Sequence, residues 1–159
     1  MRVTRRRGAI RVRLEPVETQ LLRGLMDDLD VALDSLPADD PVRQRLFPAG
    51  YSNDEQAAAE FRSLTEAALR DGKSERIGIC RAQLPDDGGA MDLDSEAAER
   101  WLTVLNDLRL GIGTRLDVQE DDDPVIDPAD PNAQTRAVYL WLTGLQDSLV
   151  RAVMRSGIA

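Results

Sequence analysis

Two stretches, Trp101-Leu-Thr-Val-Leu-Asn-Asp-Leu-Arg-Leu110 and Trp141-Leu-Thr-Gly-Leu-Gln-Asp-Ser-Leu-Val150, carry both tryptophans of the chain in nearly the same setting. Around the first, Ala98, Trp101, Leu105, Leu108, Ile112 and Leu116 recur every three or four residues. Around the second, Ala137, Trp141, Leu145, Leu149 and Ala152 do the same, with Val138, Leu142 and Val153 alongside. That period puts the apolar groups on one side of an α-helix, so the two segments predict the centre of a helical core. Aromatic residues make up only 4% of the chain, so leucine, valine, isoleucine and alanine must fill the rest of that core. The likeness between the two stretches is short, and two core helices meeting the same packing demand explain it without an internal duplication.

The remaining segments arrange themselves around this pair. In Gly-Ala-Ile-Arg-Val-Arg-Leu (8–14), Ile10, Val12 and Leu14 alternate with arginines, the period of a half-exposed strand. Pro16 suits the first turn of a helix whose apolar stripe is Val17, Leu21, Leu25, Leu29, Leu33 and Leu36, joined by Leu22 and Met26 and stopping before Pro37. A loop from Leu46 to Tyr51 offers two aromatics to the core edge. Ser52 and Glu55 have capping-box spacing and open a helix with Ala57, Phe61, Leu64 and Ala68 on its core face and Arg62, Glu66 and Arg70 as an outer charge ladder. Asp71-Gly72 predicts its end, with Gly72 as a left-handed cap. A shorter helix over 74–84 places Ile77, Cys80 and Leu84 on one side and is closed by Pro85. The Asp-Asp-Gly-Gly turn at 86–89 leads to an alternating segment, 90–94, able to pair with the first strand. Asp94 or Ser95 caps the Trp101 helix, and Gly111 and Gly113 mark fraying, a bend or close approach by a neighbour. Residues 117–130 hold seven acids, no base and two prolines, an exposed acidic loop, after which Asp130-Pro131 opens the last helix. At 159 residues this is one domain, 1–159: a mainly α bundle of four to five helices with a short N-terminal strand.

Charge is divided unevenly along this framework. The first thirteen residues hold six arginines and no acid, whereas the remainder has 14 basic against 29 acidic residues. An acidic body with a flexible basic arm, 1–7, confines any contact with a phosphate backbone to the arm or to a local patch. Arg5, Arg6, Arg7, Arg11 and Arg13 are therefore the candidate DNA contacts. The competing reading is a frayed terminus whose charge serves solubility. No aromatic is interleaved for base stacking, and no later helix is basic enough to be a recognition helix.

For chemistry the chain offers little. It has no histidine, no Gly-x-Ser-x-Gly and no phosphate-binding glycine loop, so no catalytic residue and no cofactor is assigned. The acids of 117–130 lack the spacing of a calcium loop, and no metal is expected. Asn106 and Arg109 fall on one side of their helix with Gly113, and Asp107 and Asp147 occupy matching positions in the two tryptophan helices. Asn106, Arg109 and Asp147 are read either as a small-ligand cluster or as polar groups satisfying one another at a helix interface. Cys80, the single cysteine, is read as a small buried residue or as an intermolecular redox site. No apolar run approaches bilayer length, and a cytoplasmic protein is expected.

Five segments in order, Arg13-Leu-Glu-Pro-Val-Glu18, Leu46-Phe-Pro with Tyr51, Glu60-Phe-Arg-Ser-Leu-Thr-Glu66, Trp101 through Leu116, and Tyr139-Leu-Trp-Leu-Thr-Gly-Leu-Gln146, together resemble an actinobacterial family of small acidic proteins known as a domain of unknown function and described in part as AosR-like oxidative-stress transcriptional regulators. The resemblance spans nearly the whole chain. It implies a cytosolic, non-enzymatic regulatory module that contacts DNA or a protein partner such as a transcription factor. The frequent placement of the family's genes beside the Clp adaptor implies, as an alternative, a partner of the proteolysis machinery. A redox switch between two cysteines of one chain cannot operate here, because Cys80 stands alone. A helical ligand-binding protein or enzyme using the Asn106 and Arg109 region is the rival reading, and a face left apolar after the core packs would indicate a homodimer.

Overall fold

The computed structural model describes residues 1–48, 55–119 and 125–156. In chain order the elements are strands β1 (Arg2–Arg6) and β2 (Ala9–Leu14), helices α1 (Pro16–Ser35), α2 (Pro41–Leu46) and α3 (Glu55–Gln83), strand β3 (Gly89–Leu93), and helices α4 (Ser95–Arg115) and α5 (Ala133–Ser156). The fold is mainly α, with one small antiparallel sheet ordered β1-β2-β3.

The sheet enlarges on what the alternation at 8–14 predicts. Residues 89–93 do pair with β2, Val12 opposite Met91. The basic arm, however, is no loose tail over most of its length: Arg2–Arg6 form an edge strand, with Arg2 opposite Arg13 and Val3 opposite Val12. A two-residue turn, Arg7-Gly8, joins the strands, and Gly8 takes the left-handed φ of +77° that this reversal needs. Val3 packs against the core, which gives β1 an apolar anchor. Ile10, Val12, Leu14, Met91 and Leu93 fill the inner face of the sheet. The chain leaves β3's turn close beside the start of α1: a Cβ on Gly88 would lie 2.8 Å from the Pro16 ring.

Helix α4 packs against the four other helices and β3. It can do so because its apolar residues extend around much of its circumference, with Ala97, Ala98, Trp101, Val104, Leu105 and Leu108 all buried. Asp94 caps its N-terminus by accepting from the Ala97 N–H at 2.8 Å. Trp101 is fully inside, its indole N–H donating to Gln83 Oε1 at 2.8 Å. The second tryptophan is not its equivalent. Helix α5 lies against one side of α4 and the sheet, so Leu142, Leu145, Leu149 and Ala152 carry its buried stripe, Ala137 is exposed, and Trp141 is half-buried with its N–H on Glu18 Oε1 at 3.1 Å.

Further expectations are corrected. The buried stripe of α1 is Thr19, Leu22, Met26, Leu29 and Leu33, rotated from the leucine row, and Val17 is exposed. Helix α3 does not end at Asp71-Gly72 but runs on to Gln83, joining the two helices expected there. Contacts on both sides of the glycine hold it: Asp34 with Arg70 at 3.1 Å, Asp107 with Lys73 at 2.8 Å, Asp30 with Ser74 at 2.6 Å and Asp27 with Arg81 at 2.5 Å. The acids at 27, 30 and 34 meet partners at 81, 74 and 70, the reversed order of antiparallel helices. The first half of α3, expected to face the core, projects beyond it, leaving Phe61, Leu64 and Leu69 exposed. Of the expected ladder, Glu66 instead pairs with Arg43 and Arg70 with Asp34. Finally, Asp130 caps a turn rather than α5 itself, accepting from the Asn132 N–H and from Arg136. Phe47 is buried at the core edge as expected. Tyr51 and the Ser52 cap lie outside the described residues.

Candidate functional site

Strand pairing sorts the N-terminal arginines. Because residues opposite one another in a ladder point to the same face, Arg2, Arg6, Arg11 and Arg13 stand on the side of the sheet away from the buried Val12 and Leu14. Arg11 is neutralised there by a two-point pair with Asp92 on β3, Nε to Oδ1 at 2.6 Å and Nη2 to Oδ2 at 2.5 Å. Those hydrogen bonds hold the Asp92 carboxyl below the usual carboxylate range. Arg2, Arg6 and Arg13 make no ion pair among the described residues. Arg2 faces Arg13 directly, an arrangement that costs stability in a sheet.

The other arginines of the arm divide. Arg7 sits at the turn. Arg5 lies opposite Ile10, on the inner side, and donates to the Arg155 carbonyl at 2.8 Å, where a cation meets the negative end of α5. It is thus a strand-to-helix tie and does not share the outer face with the others. Arg2, which is not among the DNA contacts expected from the sequence, does share it.

The polar cluster at the two tryptophan helices is divided in the same way. Asn106, Arg109 and Gly113 line one pocket of about 270 Å³ with Arg45, Thr114 and Tyr139. Arg109 reaches across to α5, donating to Thr143 Oγ1 at 3.0 Å and Gln146 Oε1 at 2.6 Å, with its guanidinium carbon 5.3 Å from the Tyr139 ring centroid. Asp147 is not part of the pocket. It is exposed and pairs with Arg151 one turn on. Asp107, its counterpart, is buried and accepts both of its hydrogen bonds from Lys73. Sequence alone gave no signal for Lys73, Arg45 or Tyr139 in these roles, because each arrives from another helix.

Cys80 has no exposed surface, and burial pushes its thiol up to about 12, against a smaller opposing effect of Arg100. It packs in the hydrophobic core, an environment that disfavours the thiolate. Of the acidic loop, Asp127 accepts from the Ala129 N–H in a tight turn, and Asp117 holds a left-handed φ of 51°. Glu120, Asp121, Asp122 and Asp123 lie outside the described residues. Among the described residues no group of three or more metal-ligating side chains comes together. None of the described helices is long and apolar enough to cross a membrane.

The fold and its surface define a helical domain that carries a small basic sheet on an acidic body. The chain belongs to the family described as "Domain of unknown function (DUF2017)", whose model matches residues 1–153. It is 31% identical to proteins named "Oxidative stress regulator AosR" from Mycobacterium bovis and Mycobacterium tuberculosis, over 96% of this chain and 86% of theirs. It is 32% identical to a "Putative oxidative stress regulator AosR" from Mycobacterium leprae, over 73% of this chain and 59% of that one. These relatives are named as regulators. No solved structure matches the chain.

Proposed function

We propose that the protein is a non-enzymatic, stress-linked regulator that acts by binding, and that the outer face of its sheet is a contact for DNA phosphates. One observation carries the reading. Arg2 and Arg13 stand side by side across the β1–β2 ladder, with Arg6 on the same face beyond Thr4 and none of the three in an ion pair among the described residues, on a chain that is otherwise strongly acidic. Such a like-charge pair is a cost to folding, and a polyanion relieves it. β1 is the edge strand of the three-stranded sheet, so Arg2 and Arg6 stand at its rim. The acidic body would repel the duplex everywhere else, which fixes the orientation of approach.

Duplex binding measured against salt tests this. Each phosphate contact contributes roughly 0.9 to the slope of log affinity on log salt, so replacing Arg2, Arg6 and Arg13 by Gln is expected to reduce the slope by about two to three. Affinity and slope unchanged in the triple variant would discard the reading.

A protein contact is the second reading, favoured by the exposed Phe61, Leu64 and Leu69 on α3. Here a partner held by the wild type is expected to be lost on Phe61→Ser with Leu64→Ser and retained by the arginine variant. The reverse pattern would assign that partner to the sheet.

A further inference from the structure

We propose that the pocket between α2, α4 and the start of α5 binds a small organic oxyanion, a carboxylate or a phosphate. The proposal is independent of the sheet surface. Its centre is Arg109, half-buried and held by neutral groups only: Thr143 Oγ1, Gln146 Oε1 and, more distantly, Tyr139 Oη at 3.4 Å. Arg43, Lys73, Arg100 and Arg136, buried to a similar degree, each meet a carboxylate instead. Those three bonds fix the guanidinium plane and leave two of its five N–H groups unspent. A cation oriented in advance by neutral acceptors keeps its full charge for a ligand, and a planar guanidinium suits the two oxygens of a carboxylate or phosphate.

The rest of the lining fits the same chemistry. Arg45 stands on the α2 side of the pocket without an ion pair among the described residues, and the Asn106 amide makes no hydrogen bond among them. The one carboxylate among the described lining residues is Asp117, and it already accepts from Gln119 Nε2 at 3.0 Å. Among the described lining residues, two guanidinium groups stand against one engaged carboxylate, a positive excess on an acidic protein. Gly113 makes room for the wall: a Cβ there would lie 3.0 Å from Tyr139 Cε2, so the missing side chain lets the ring lie against α4 beneath Arg109. A volume of about 270 Å³ suits a small metabolite rather than a nucleotide.

The test is calorimetric titration of the full chain with inorganic phosphate and, separately, with succinate, at matched ionic strength against chloride. The proposal expects at least one of the two to saturate with a Kd of about 1 mM or tighter. Saturation by phosphate alone identifies phosphorylated ligands, and saturation by succinate alone identifies carboxylates. Arg45→Gln, at an exposed position, and Arg109→Lys, which keeps the charge but loses the fork, are each expected to weaken binding at least about five-fold. Circular dichroism and the Tm of each free variant confirm that it is folded. Saturation by neither anion, or an affinity unchanged in either folded variant, overturns the proposal.

Discussion

The matching aspartates of the two tryptophan helices show how far residue identity underdetermines role. Asp147 points to water and pairs with Arg151 on its own helix, where a screened pair contributes little. Asp107 is buried and holds α3 to α4 through Lys73, with both of its oxygens within 2.9 Å of Nζ. Removing one partner of such a pair leaves an uncompensated buried charge. Asp107→Leu is therefore expected to lower unfolding stability by about 3–5 kcal/mol, whereas Lys73→Met combined with Asp107→Leu should recover most of the loss. Urea unfolding of the single and double variants measures both, and a double variant no better than the single would show that the pair is not the source of the cost. Cys80 follows the same logic. The residue alone allows a sensor or a core filler, and the fold places it fully inside the core.

At the scale of elements, glycine illustrates how tertiary contacts overrule local signals. Asp71-Gly72 reads as a helix end, yet α3 continues through it because Arg70, Lys73 and Ser74 are tied to α1 and α4 on both sides. Gly72 then brings only its weak helix propensity, and an added Cβ would meet nothing closer than Arg76 Nη2 at 3.5 Å. Gly72→Ala is expected to stabilise the protein by up to about 1 kcal/mol. Gly113 also lies within a helix, but the Tyr139 ring occupies the space its Cβ would need. Gly113→Ala should therefore destabilise, or at best gain nothing, and Tm values for the two variants should move in opposite directions. A shift of the same sign in both would contradict the packing described. The apolar face of early α3 was legible as a stripe, but period cannot say whether another element covers it, and here none of the described elements does.

For the whole molecule, the acidic balance is offset by specific partners. Hydrogen bonds from Arg115 and the Val42 N–H hold Asp40 below the usual carboxylate range, Arg11 does so for Asp92, and the Asn132 N–H and Arg136 do so for Asp130. Burial by itself would raise Glu18. Hydrogen bonds from the Glu15 N–H, the Met1 amino group and the Trp141 indole outweigh that and lower it. A carboxyl whose folded value is depressed adds stability that is present above its unfolded value and is lost as pH falls through the folded one. The urea midpoint is thus expected to be flat near neutrality and to drop once the pH passes below about 4.5. Glu18→Gln should reduce that drop, and a midpoint rising on acidification would show that these pairs do not govern acid stability.

The sequence by itself determined the periodic elements: the alternating strand at 8–14, a segment at 90–94 able to pair with it, the helical class and the two tryptophan helices. It also determined that positive charge is concentrated in the first thirteen residues. These follow from local spacing and composition, which a single segment carries within itself. Tertiary structure alone decided which tryptophan is inside, that Arg5 and Arg2 exchange their expected places, that Arg109 joins Arg45 and Tyr139 while Asp147 stands apart, and that one helix spans Gly72. Each of these depends on a group supplied by a distant segment, and the energy of such a meeting is not written in either segment alone.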